Sequence, residues 1–149
     1  MDDAMRDLYQ EVILDHNKRP RNFRVVEGAA KLEGFNPLCG DRLTLYLTLD
    51  GDQVVDLAFQ GQGCAISTSS ASLMTEAIKG KTKREADRIL ADFLRLVTRD
   101  GPAPTKEQVG KLLVFSGVGE FPARVKCATL CWHTLKAVLD GQRDRVTTE

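Results

Sequence analysis

The chain carries no net charge, because 21 lysines and arginines are matched by 21 aspartates and glutamates. Without a long-range field, nothing favours nucleic acid or an anionic membrane as partner, and recognition must be local. A long apolar run is missing too, so no segment approaches a membrane span. The start, Met1-Asp2-Asp3-Ala4, lacks the basic n-region and apolar h-region of a secretory signal. These absences predict a soluble, cytoplasmic protein. No internal repeat or low-complexity block interrupts the sequence. One domain over residues 1–149 is therefore expected, and a chain this long buries about 68–70% of the surface its unfolded form exposes. Cysteine is scarce, with four residues and no pair two residues apart, which excludes a zinc-knuckle pattern. Under reducing conditions four cysteines speak for metal or sulfur chemistry rather than a disulfide framework.

The order of elements follows from periodicity and punctuation. Apolar positions including Met5, Leu8 and Val12 recur at helical spacing, and Lys18-Arg19-Pro20 closes the segment, which predicts a docked amphipathic helix over 3–18. Strands are predicted near 29–35, over 42–50, where Leu43, Leu45, Leu47 and Leu49 alternate, and over 54–59. Asp50-Gly51-Asp52 turns the last two into a hairpin. Helices follow over 65–78, from Thr82, whose pattern with Glu85 is a capping box, and from Thr105, which repeats the pattern with Gln108 and runs to about Phe115. After a loop from Ser116 to Pro122, a last helix over 124–140 stops at Gly141, and the tail beyond Gln142 is expected to fray. The expected class is α+β: a small antiparallel three-stranded sheet packed by helices.

Three cysteines and one aspartate sit at Gly-rich turns or expected helix starts: Cys39 and Asp41 in Asn36-Pro37-Leu38-Cys39-Gly40-Asp41, Cys64 in Gly61-Gln62-Gly63-Cys64, and Cys127 after Arg124-Val125-Lys126. Glycine lets backbone N–H groups approach an anion, and a helix N-terminus lowers a thiol pKa. Cys39 and Cys64 also fall at the open end of one hairpin, where residues distant in sequence become neighbours. Together Cys39, Asp41, Cys64 and Cys127 make a complete tetrahedral zinc set, with a net charge of about −2 once the ion is counted. Arg124 and Lys126 adjoin Cys127 and are placed to offset that charge. A carboxylate among soft thiolates points to an exchangeable site working on sulfur or iron rather than a closed structural one. Inert burial is the ordinary fate of free cysteine, but it explains neither the glycines nor Asp41.

Other residues are read more plainly. Cys131, one turn beyond Cys127, is expected to be a small core residue. His16 is read as a surface or capping contact near Pro20, His133 is turned away from Cys127 on its helix, and most of the Ser67–Ser72 run serves packing.

These motifs carry a resemblance. Leu8-Tyr9, Asp15-His16, Pro20-Arg21-Asn22, the Cys39 turn, Gly61-Gln62-Gly63-Cys64-Ala65-Ile66-Ser67 with Ala71-Ser72, and Phe121-Pro122-Ala123-Arg124-Val125-Lys126-Cys127 together resemble the U-type iron-sulfur cluster assembly scaffold family, IscU/SufU. The resemblance implies that Cys39, Asp41, Cys64 and Cys127 ligate a metal or cluster, that a cysteine desulfurase is a partner, and that downstream assembly or recipient proteins follow. Lys126 stands where the scaffold branch carries histidine, and the segment around Leu96 to Val118 looks like the insertion marking the SufU branch. For that branch the resemblance implies a zinc-dependent sulfurtransferase. The resemblance further implies that the desulfurase offers a histidine to the zinc and displaces Cys39, whose thiolate then attacks the terminal sulfur of the enzyme's cysteine persulfide. The rival reading is a scaffold building a transient [2Fe-2S] cluster on Cys39, Cys64 and Cys127.

Overall fold

Alternation along the strands builds the sheet that positions everything else. In the computed structural model, which describes residues 3–142 and 144–147, β1 (Ala30–Asn36), β2 (Asp41–Asp50) and β3 (Gln53–Gln62) form an antiparallel meander. Leu43, Leu45 and Leu47 are buried on one face, and Arg42, Thr44 and Tyr46 between them face the other way. The alternation breaks at Leu49, which is exposed because the ladder shifts between Thr48 and Leu49. A fourth strand, β4 (Val146–Thr147), pairs in parallel with β1 through Gly34 and Phe35, giving the order β3-β2-β1-β4. This corrects the expected three strands and, over residues 146–147, the frayed tail, of which residues 143, 148 and 149 lie outside the described residues. Two residues are too few to show alternation, and β4 is held instead by the free edge of β1 and by the Arg145 guanidinium 5.2 Å from the Phe35 ring centre.

Five helices lie among the described residues, with α1 (Asp3–Lys18) and α2 (Ala65–Ile78) matching their expected bounds. α3 (Lys83–Thr98) and α4 (Lys106–Val109) start on the two capping boxes. α4 stops early because Gly110 takes φ +53, and the chain continues to Phe115 as a 3-10 turn rather than an α-helix. α5 (Pro122–Leu139) begins two residues earlier than expected, with Pro122 in its first turn, where a missing N–H costs nothing. In the core Trp132 stacks on Phe93 at 4.5 Å between ring centres, and Phe115 meets Phe93 edge-on at 5.8 Å. Leu112, Phe115 and Val118 are buried, so the segment around Leu96 to Val118 is built into the core.

α1 docks by a stripe that keeps Val12 of the expected positions but not Met5 or Leu8. Tyr9, Val12, Ile13 and His16 face inward, while Met5 and Leu8 are exposed. His16 is buried and not on the surface: its Nδ1 lies 2.7 Å from the Ser72 hydroxyl, which also accepts the Arg21 N–H at 2.8 Å. Burial, then the nearby Arg21 charge, holds the His16 imidazole below its ordinary pKa. The serines of α2 are connectors as well as small packers, since the Ser70 hydroxyl donates to the Ala128 carbonyl at 2.6 Å and accepts from Trp132 Nε1 at 3.1 Å.

Candidate metal centre

Asn36 and Asp41 stand opposite each other in the last rung of the β1–β2 ladder, both fully buried on the helix side. The four residues between them form a tight loop. It is closed by the Gly40 N–H donating to the Asn36 carbonyl at 2.9 Å and the Leu38 N–H donating to Asn36 Oδ1 at 3.2 Å. Gly40 takes φ +72, a conformation that favours glycine, and Cys39 beside it is exposed. Across the hairpin, a side chain on Gly61 would collide with the Arg42 carbonyl and lie 2.7 Å from Leu43 Cα. At Gly63 an added Cβ would sit 2.9 Å from Asp41 Oδ1. Both glycines therefore let β3 and the turn into α2 close against the start of β2.

Cys64 is the N-cap of α2, as expected. Its Sγ accepts the Ser67 N–H at 3.4 Å, and its own N–H donates to Asp41 Oδ1 at 3.0 Å. Cys127 is not at a helix start, because α5 begins at Pro122 and places this residue in the second turn. It is buried, and the expected lowering of its thiol pKa is reversed. Burial first, then hydrogen bonds with Asp41 and Cys39, push the thiol far above its ordinary range. The close approach of α5 to β1 brings it into place, since a Cβ on Gly34 would clash with the Thr134 hydroxyl of α5.

The ligand atoms of Cys39, Asp41 and Cys127 all lie within 4.8 Å of one another, and the Cys127 thiol donates to Cys39 Sγ at 3.4 Å. The Cys64 thiol is outside this group, turned toward Ser67, so the expected set of four is gathered as three with the fourth adjoining. The donors suit a borderline-soft cation such as zinc, which takes thiolate and carboxylate together. A buried thiol beside a carboxylate is also an arrangement that a cation can ionise and relieve. Arg124 is exposed and packs over Phe121, with its guanidinium carbon 4.5 Å from the ring centre, while Lys126 is half-buried. Neither makes an ion pair with Asp41. Cys131 is buried, its thiol donating to the Ser70 hydroxyl at 3.4 Å, and burial pushes its pKa up to about 12, the core role expected of it.

Asn36 was legible in the motif but has a larger part than its sequence position suggests. Its Nδ2 lies 3.5 Å from Asp41 Oδ2 and 3.8 Å from Cys127 Sγ. The signal was the inward alternation Leu32, Gly34, Asn36, which carries an amide to the helix side at the end of the strand.

Sheet, helices and cluster define a class: a small α+β protein that gathers cysteines and an aspartate at one end of its sheet, beside the start of α2 and the second turn of α5. Residues 8–139 match the family described as NifU-like N terminal domain. Relatives include the zinc-dependent sulfurtransferase SufU of Bacillus subtilis, 44% identical over 87% of this chain and 87% of that one. Another is the iron-sulfur cluster assembly scaffold protein IscU of Streptococcus pyogenes, 39% identical over 91% of this chain and 84% of that one. The solved structure of FiSufU, from the SUF system of Fervidobacterium islandicum AW-1, superimposes with a TM-score of 0.82 at 38% identity, over 87% of this chain and 94% of that one. The chain belongs to the IscU/SufU family of iron-sulfur cluster assembly proteins. No helix among the described residues is long and apolar enough to cross a membrane.

Proposed function

We propose that the chain accepts sulfur from a cysteine desulfurase on Cys39, in the cytoplasm, and passes it to downstream iron-sulfur assembly or recipient proteins, with zinc as resident metal on Cys39, Asp41, Cys64 and Cys127. The observation that carries this reading is unequal anchoring. Asp41 is buried and held through Oδ1 by the Cys64 N–H, Cys127 is buried in α5, and Cys64 caps α2. Cys39 and Cys64 are both exposed, but Cys64 is fixed as the cap of α2 through the Ser67 N–H, whereas Cys39 stands on a loop with the Cys127 sulfur as its side-chain contact. A ligand on a loop exchanges while ligands on packed elements stay.

When bound, zinc would keep the sulfurs as thiolates at neutral pH and so preserve Cys39 as a nucleophile. The Cys39 thiolate attacks the terminal sulfur of the desulfurase persulfide. A new S–S bond forms on Cys39, the old S–S bond breaks, and the desulfurase cysteine leaves as a thiolate, with no external oxidant. Arg124 and Lys126, within three residues of Cys127 on α5, would offset the anionic centre by their charge without an ion pair to Asp41. The relative named a zinc-dependent sulfurtransferase supports this reading. The relative named an IscU scaffold favours the second, a [2Fe-2S] cluster assembled on Cys39, Cys64 and Cys127. Cys39→Ser is expected to abolish stimulation of a cognate cysteine desulfurase while the protein stays folded. Full stimulation by that variant overturns the proposal, and iron with sulfide in place of zinc in protein purified without air selects the second reading.

A further inference from the structure

We propose that Asn36 is the positioning residue of the centre, its one carboxamide fixing the spacing of Asp41 and Cys127 and the shape of the loop that carries Cys39. The inference rests on the reading of these residues as metal ligands. Asn36 is fully buried, so its amide must find partners inside the protein. Oδ1 accepts the Leu38 N–H at 3.2 Å, which fixes the amide orientation and leaves both Nδ2 hydrogens for the centre. Nδ2 lies 3.5 Å from Asp41 Oδ2 and 3.8 Å from Cys127 Sγ, so each can take one of them. The main-chain carbonyl of the same residue accepts the Gly40 N–H, at 2.9 Å, on the far side of Cys39.

One side chain thus touches a carboxylate from β2, a sulfur from α5 and the loop of a third ligand. An N–H donor to a ligating sulfur or carboxylate draws off negative charge without ligating, and it restricts the ligand's rotation. Cys64 supplies the matching donor on the other carboxylate oxygen through its N–H at 3.0 Å, so Asp41 is held from both sides. Cys39 Sγ receives no such donor from Asn36, so Asn36 restrains Asp41 and Cys127 through their ligand atoms and Cys39 only through the backbone of its loop.

The test compares wild type with Asn36→Ala and Asn36→Ser. Serine keeps an oxygen near the Leu38 N–H but is too short to span Asp41 and Cys127. Zinc and cobalt binding are measured by competition with a chromogenic chelator, and the visible spectrum of the cobalt-loaded protein reports ligand geometry. Both variants are expected to bind metal about 10–100-fold more weakly than wild type, with an altered cobalt spectrum. Wild-type affinity and an unchanged spectrum in either folded variant overturn the inference. A mutation-free readout accompanies them: in zinc-loaded wild type the Asn36 side-chain amide should give two separate proton resonances protected from solvent exchange. A rapidly exchanging pair overturns the inference as well. Failure of the wild type to bind zinc or cobalt at all would instead refute the ligand reading beneath it.

Discussion

Gly63→Ala perturbs the centre by adding one methyl group. The new Cβ would lie 2.9 Å from Asp41 Oδ1, 3.0 Å from Ser67 Oγ and 3.1 Å from Ser67 Cβ. Comfortable separations begin at about 3.5 Å, so something must retreat by roughly half an ångström. Asp41 is fully buried and its Oδ1 already accepts the Cys64 N–H, so moving it stretches that bond and disturbs the contact with Asn36. Overpacking of this kind costs about 1–3 kcal/mol of stability. Displacing a ligand and its hydrogen bonds should lower zinc affinity about 10–100-fold. Gly40→Ala is the matched control: it places a side chain at φ +72 with no atom within 4 Å beyond its own chain neighbours, and so adds left-handed strain of about 1–2 kcal/mol without a collision. Melting of the metal-free proteins and chelator competition for zinc separate the two effects. Gly63→Ala protein that retains wild-type zinc affinity would refute the reasoning.

At the edge of the sheet, Asp56 receives the Arg24 guanidinium at 2.7 and 3.0 Å and Lys79 at 3.4 Å, and the Arg24 hydrogen bonds chiefly hold its carboxyl down at about 2. A folded-state pKa below the unfolded value means stability present above about pH 4 and lost as pH falls through about 2. Discounted for the exposure of Arg24, Asp56→Asn should cost roughly 1–2 kcal/mol near neutral pH in urea unfolding and flatten the decline between pH 4 and 2. An unchanged midpoint would contradict this. Lys126→Ala should leave the fold intact while altering zinc retention or desulfurase activation, and no change in either would make Lys126 a solvated bystander. Removing zinc should lower the melting temperature, because the ion binds only the folded arrangement linking the Cys39 loop to α5; equal melting with and without metal would contradict that linkage.

Much of this was legible in the sequence where local chemistry decides structure. α1 and α2 have their expected bounds, and both capping boxes formed, because periodicity and N-cap residues act within a few positions. What escaped depends on distant partners. His16 is buried because Ser72 of α2 meets it 56 residues away, and β4 exists because β1 offers it an edge. The start of α5 was readable, since Pro122 marks a first helical turn; missing it put Cys127 at a helix terminus and gave its pKa shift the wrong sign. The gathering of Cys39, Asp41 and Cys127 followed from the motifs, whereas the turning of Cys64 toward Ser67 depends on a side-chain rotation that no spacing fixes.

The central claim is that Cys39 receives the sulfur. Zinc-loaded protein is mixed with a cognate cysteine desulfurase and cysteine, quenched by alkylation at early times, digested and mapped by mass spectrometry. The account predicts the first persulfide on Cys39, before any on Cys64, Cys127 or the buried Cys131. Label arriving first on Cys131, or on any cysteine other than Cys39, would contradict it.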